Sequence, residues 1–462
     1  MNTRLAVPTR EQFAEVLRTG APIFAELFLI SLFVMADTAL LKPCGTVAIA
    51  SVGLTGEPIN LIEFAFFALQ TAVIAIMART KAKGEHDKLG TLICGYLKLV
   101  FAAVLGVSLL TAVFARPYLS LFGGDAEMLP IAIPYFRVSL MAVILRRLSG
   151  AMTDILKALG HPQWSFILNL SANAVNIVFD ILLINGYGPF PRMGAVGAAA
   201  ATVIGCAVGF VGACAILFGK LRESGVDCSS AVWRRSSRNE VRTICTEAAP
   251  LLGEKIMIRL GVFLSISKVA TLGTTAFAAY RILISLQNFA YLGAEAFATT
   301  TLIFLSRAYA MQDEKKARSY FTATLVCALS FASVCLLAFL VLGTPLMSIY
   351  SDDPAVIGSG AAVLRFICFY QPFQAAALLL ASGMRSVKRA SIPSVVTTIG
   401  IVVIRPALVY LLTGTFGVAG AWMAIMTDEI FRFVVLFVLQ GKMWREFADR
   451  THDSTLRKGE IL

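Results

Sequence analysis

Apolar runs of 20 or more residues recur along the whole chain, separated by short joints rich in Gly, Pro and charged side chains. Because a helix of roughly 20 residues crosses the ~30 Å hydrocarbon core of a bilayer, each run is predicted to be a membrane span. Twelve result, at about 20–41, 47–78, 89–114, 130–159, 164–185, 195–218, 249–272, 275–306, 320–343, 361–386, 391–412 and 418–440. An even number returns the C-terminus to the side of the N-terminus. The pattern therefore predicts an all-α membrane protein.

The spans fall into two sets of six. A shift of 228 residues lays Ala21, Pro22 and Glu26 on Ala249, Pro250 and Glu254. Without a gap the same shift lays Gly45 and Thr46 on Gly273 and Thr274, Asn60 on Asn288, and Arg79 on Arg307. An even-spanned repeat keeps its orientation, so the halves are expected to be parallel, pseudo-symmetric six-helix bundles about an axis along the membrane normal. The expected division is an N-lobe at 1–218, a polar linker at 219–248, a C-lobe at 249–440 and a tail at 441–462. The linker run WRRSSRNEVR reads as a solvated connector near anionic lipid.

Composition sharpens this picture. Of 462 residues, 58% are hydrophobic and only 15% charged, which excludes a soluble globular protein. The net charge of +12 does not point to nucleic acid, since no basic stripe is interleaved with exposed aromatics. Instead the charge is sorted by side. Connections on the N-terminal side carry 26 Lys and Arg, Lys157 and Arg385 among them, against four opposite: Lys42, Arg116, Arg192 and Lys268. That imbalance predicts a multi-pass cell (inner or plasma) membrane protein with both termini in the cytoplasm. The first span carries an acid and lacks a small-residue cleavage pattern, so it is expected to be retained. Nine scattered cysteines without CxxC spacing predict neither a disulfide framework nor a zinc site. The three histidines lie in loops or the tail, and no nucleophile, metal or phosphate-loop pattern occurs. An enzyme is not expected, nor any cofactor, nor ATP-driven pumping by this chain alone.

Candidate chemistry lies inside the spans. An acid at the bilayer centre costs roughly 2.5 to 3.5 kcal/mol, so Asp180 in WSFILNLSANAVNIVFDILLIN needs a function. Asn176 and Asp180, at i and i+4, share one helix face and can address one ligand together. This face is expected to exchange an ion in a transporter.

The chain resembles the multidrug and toxic compound extrusion (MATE) family. The resemblance rests on KALGHPQWSFILNLSANAVNIVFDILLI with GAVGAAAAT, on SGMRSVKRASIP and GVAGAWMA in the second half, and on MADTALL followed by AIASVGL. It covers about 20–440. What it implies is a pair of six-helix lobes exporting amphipathic, often cationic organic compounds in exchange for H+ or Na+ by alternating access. A lipid-linked precursor flippase or a dedicated metabolite exporter of the same superfamily is the alternative. The partners implied are small organic substrates and the lipid bilayer, with no nucleic acid, for a chain functional as a monomer.

Residue by residue, the family's N-lobe cation site matches Asp37, Tyr135, Asn176, Asp180 and Thr202. Topology is consistent with that grouping: Asp37 lies 17 residues past Gly20 and Asp180 16 past Trp164, so both acids sit roughly 24 to 26 Å along their helices. Two carboxylates sharing a poorly hydrated site titrate as a unit, which suits proton coupling. The oxygens of Asp37, Asn176 and Asp180 equally suit Na+. Pro22 removes a backbone hydrogen bond in span one, which is expected either to let that helix bend when Asp37 changes charge or to leave a static kink near the helix start.

The second half has lost the acid pair, with Arg405, Pro406 and Ala407 standing in the Asp180 region. Some branches of the family hold sodium there with acids in spans seven and ten. Glu254 fits the first, but span ten offers only Gln371 and Gln374. Glu57, Glu63, Glu254, Gln371 and Gln374 are the candidates for a substrate cleft, weighed against structural pairing.

Overall fold

In the computed structural model the described residues are 7–40, 46–121, 128–235, 238–350 and 353–459; side chains at 34–40, 46–51, 53, 57, 64–65, 274, 367 and 448–459 lie outside that description. Every described element is helical. The first half contains α1 Arg10–Leu40, α2 Thr46–Ala82, α3 His86–Val113, α4 Ala115–Leu121, α5 Leu129–Ala158, α6 Pro162–Asn185 and α7 Gly194–Glu223. The linker carries α8 Ser230–Arg235. The second half contains α9 Arg238–Ala270, α10 Thr274–Met311, α11 Glu314–Val341, α12 Gly343–Ser348, α13 Pro354–Ile367, α14 Gln371–Ser386, α15 Ser391–Thr398 and α16 Arg405–Gly459.

These elements make twelve spans in two six-helix bundles. Ten described helical stretches are long and apolar enough to cross a bilayer, and one of them, Ser391–Phe447, is two spans. Its division falls at Gly417, whose φ of 55° and ψ of −132° break the helix where a side chain would be strained. The twelfth span is α9, kept below the apolar threshold by Glu254, Lys255 and Arg259. Span ten starts at Pro354, earlier than expected, and tightens to a 3-10 turn at Cys368–Tyr370. Pro372 explains the turn: it has no N–H for the carbonyl of Cys368 one turn earlier. The short α4, α8 and α12 were not expected from the sequence, being under a bilayer's length.

The internal repeat reappears in helix starts. Thr46, His86 and Ala115 open α2, α3 and α4; Thr274, Glu314 and Gly343, each 228 residues later, open α10, α11 and α12. Contacts gather the described residues into two compact units, Ala25–Thr246, and the stretch up to Phe24 with Glu247–Leu462. The division of α1 comes two residues after Pro22. Before it, fully buried Val16 joins the cluster holding Phe321 and Phe447, and the Ser319 and Tyr320 hydroxyls donate to Gln12 and Glu15.

Within Ala25–Thr246, α6 is bounded by Pro162 in its first turn and by Gly186 at its end, with φ 76°. It packs closely on α7 because α7 turns small residues towards it. A Cβ on Gly205 would lie 2.5 Å from the Ala172 carbonyl oxygen and 2.8 Å from Asn176 Cβ. Such close approach is how helices gain dispersion contact inside a bilayer, where apolar burial provides no drive.

Candidate functional site

The close contact of α6 and α7 positions the first candidate residues. Asn176 and Asp180 are 5% and 2% exposed. Asn176 Nδ2 donates to Thr202 Oγ1 at 3.4 Å, and the Thr202 hydroxyl donates to the Ala198 carbonyl at 2.9 Å. Tyr135 of α5 is half-buried against Ile184 and Ala198, next to Val52 of α2. Ile184 is one helical turn beyond Asp180 and Ala198 one turn before Thr202, so Tyr135 packs about a turn away from the Asn176–Thr202 contact. Asp37 lies on α1, but its side chain falls outside the described residues. Pro22 lies within α1.

Below Asp180 the same face of α6 carries Asn176, Asn173 and Asn169, at helical spacings of four, seven and eleven residues. This amide ladder ends on α1. Asn169 Nδ2 donates to Glu26 Oε1 at 3.0 Å, and Lys157 Nζ of α5 donates to the same oxygen at 3.0 Å. Lys157, expected among the connection charges, is instead buried inside the lobe, where it pairs with Glu26. Asp154, also buried, accepts from the Tyr96 hydroxyl at 3.1 Å.

The second lobe repeats this pair with different closure. Arg385 of α14 donates to both oxygens of Glu254, at 2.7 and 2.8 Å, and the Ser394 hydroxyl adds a bond of 2.8 Å to Oε2. Arg385 too had been expected in a connection, and 228 residues separate it from Lys157, as they separate Glu254 from Glu26. That doubled coincidence was the signal in the sequence for both pairs.

Where the Asp180 region has its counterpart, the second lobe holds a charge quartet. After π-helical turns at Ile399–Ile404, Arg405 donates to Asp428 Oδ2 and lies 3.5 Å from Glu429 Oε1. Arg432 bridges the same two acids. Gln374 donates to Glu429 at 3.1 Å and accepts from Gln287 at 3.3 Å. Gln371 is buried nearby in α14. Two cations and two acids leave the quartet neutral.

Of the remaining candidates, Glu63 is held by Arg146 at 2.9 Å and Arg147 at 3.7 Å, both from α5. The Glu57 side chain lies outside the described residues. The eight described cysteines are free thiols.

Known proteins share this architecture. The chain is 24% identical over 452 residues to the probable multidrug resistance protein NorM of Thermotoga maritima, covering 96% of each. It is 21% identical over 445 residues to the FAD transporter of Shewanella oneidensis, covering 95% of this chain and 96% of that one. The fold matches the crystal structure of the Vibrio cholerae MATE transporter VcmN in its bent form with a TM-score of 0.87 at 17% identity, covering 95% of this chain and 98% of that one. The MatE family pattern matches residues 22–182 and 250–411, one segment in each half of the repeat. The chain belongs to the MatE family, the multidrug and toxic compound extrusion transporters whose motifs its sequence resembles.

Proposed function

We propose that this chain is a secondary active exporter that expels amphipathic, often cationic organic compounds in exchange for H+ or Na+ by alternating access. One observation carries the reading: Asp180 is almost fully buried on an apolar helix, one turn from buried Asn176, which itself bonds to Thr202 of the next helix. A carboxylate kept there changes its interactions greatly when a cation binds or leaves. Asp37, on α1, is proposed as its partner acid, and Tyr135 and Thr202 as further oxygen donors. The basic residues of the connections favour a chain with both termini in the cytoplasm.

A second reading follows from the Shewanella relative: a dedicated exporter of one metabolite, with drug export incidental. Ethidium export from proteoliposomes under imposed pH and sodium gradients tests the main reading. Asp37→Asn and Asp180→Asn are expected to bind ethidium but lose gradient-driven export. Unchanged export by either variant removes that acid from the mechanism, and a wild type that moves no ethidium favours the metabolite reading.

A further inference from the structure

We infer that Glu26 is a second proton-binding group of the first lobe, and that its protonation hands Lys157 from α1 to Asp154. The inference rests on the cation exchange proposed above and extends it to the other end of the amide ladder.

Glu26 is 6% exposed and uses its two oxygens unequally. Oε1 accepts from both Lys157 and Asn169, whereas Oε2 is buried with no hydrogen-bond partner among the described residues. A buried carboxylate oxygen left without a donor is poorly compensated for its lost hydration, and Oε2 is the oxygen on which a proton would sit. Glu26, Ile30 and Phe33 of α1 face Phe166, Asn169 and Asn173 of α6 across a gap too narrow for a water molecule. A sodium ion needs several oxygen ligands and room for them, and it would also meet the Lys157 ammonium. A proton needs neither space nor a ligand shell.

Among the described residues, α5 brings Lys157, one turn earlier Asp154, and Arg147, whose positive charge also acts on Asp154; α3 brings the Tyr96 hydroxyl, which donates to Asp154; the α6 side that faces Glu26 brings amides. When a proton binds Oε2, one O–H bond forms and none breaks. The Glu26–Lys157 attraction falls from ion pair to ion and dipole. Asp154, at i−3 on the same helix, is then a full negative charge that stands within reach of Lys157. The tie between α1 and α5 loosens.

The second lobe is the internal control. Glu254 has both oxygens occupied by Arg385 and one also by Ser394, and the position equivalent to Asp154 is Ser382. The Asp154 position thus holds no acid there, so Glu254 is expected to keep its charge throughout.

The test measures protons released per ethidium bound by the purified full chain in weakly buffered detergent, using a pH-sensitive dye. Glu26→Gln is expected to release about one proton fewer than wild type, since a group that no longer titrates drops out of the linkage. Glu254→Gln should release as many as wild type. Equal release by Glu26→Gln and wild type overturns the inference, and so does an equal loss in Glu254→Gln. A wild type that releases no proton, and whose export follows sodium alone, overturns proton use by the whole lobe while leaving the exporter reading standing. Should Glu26→Gln fail to fold around the lone ammonium, the Glu26→Gln/Lys157→Met pair removes both charges. In that case infrared difference spectra should show a neutral carboxyl band in wild type at low pH that is missing from the pair. Persistence of the whole band overturns the inference.

Discussion

Arg405 donates from both Nε and Nη2 to a single oxygen of Asp428, at 3.0 and 2.6 Å. Gly400 makes room for that carboxylate, since a Cβ there would lie 2.0 Å from Asp428 Oδ1. The region that offers Asn176 and Asp180 in one lobe thus offers a closed, neutral set of charges in the other. An acid that already has two guanidinium groups has no use for an added cation, so the proposed ion exchange belongs to one lobe.

Breaking this set should be costly. Arg405→Gln and Asp428→Asn are each expected to destabilise the protein by about 3 to 5 kcal/mol, because each leaves buried charge uncompensated. The double variant should lose less than the sum, with a coupling of about 0.5 to 3 kcal/mol. Equilibrium unfolding in mixed detergent measures this. Strict additivity would mean that the pair contributes no mutual stabilisation.

Gly205→Ala should separate α6 from α7, since its nearest obstacle is a backbone oxygen that cannot rotate away. The expected loss is about 1 to 3 kcal/mol of stability, together with the Asn176–Thr202 bond and gradient-driven export. Gly106→Ala on α3 meets nothing within 4 Å and serves as the matched control. Export by Gly205→Ala at the wild-type rate would show that this helix contact is not needed for transport.

The linker lies against α3 at a point where bulk is forbidden. A Cβ on Gly90 would lie 2.2 Å from the Asp227 carbonyl oxygen, and farther along Lys98 donates to the Trp233 carbonyl and sits 5.3 Å from that ring. Gly90→Ala should lift the linker, so trypsin should cut after Arg234 and Arg235 several-fold faster. Unaltered cleavage kinetics would argue that the linker is not held by this contact.

Pro22→Ala restores an N–H that can donate to the Arg18 carbonyl. Stability should rise, by at most ~3 kcal/mol. If bending of α1 is part of the cycle, ethidium binding should survive while export slows several-fold. Export at full speed would assign Pro22 to a static kink.

Much of the molecule was legible in its residues. Span number, the parallel repeat and the buried Asn176 and Asp180 all follow from the bilayer, which forces long apolar helices and makes each buried polar group conspicuous. Less legible were Lys157 and Arg385. Both lie near the ends of their helices, where basic residues are normally loop charges, and only their partners Glu26 and Glu254 reveal them as interior. Glu63 was ambiguous for a related reason: sequence does not tell which helix a side chain faces, and Arg146 and Arg147 settle that by pairing with it.

By itself, then, the order of residues determined the twelve crossings, the duplication and the loss of the acid pair from the second half, because period, length and composition act locally along a helix. Tertiary structure decided who neutralises whom: Lys157 with Glu26, Arg385 with Glu254, Arg405 and Arg432 with Asp428 and Glu429. Charges in a low-dielectric interior seek partners across helices, at separations of up to 131 residues. Only packing brings such residues within reach.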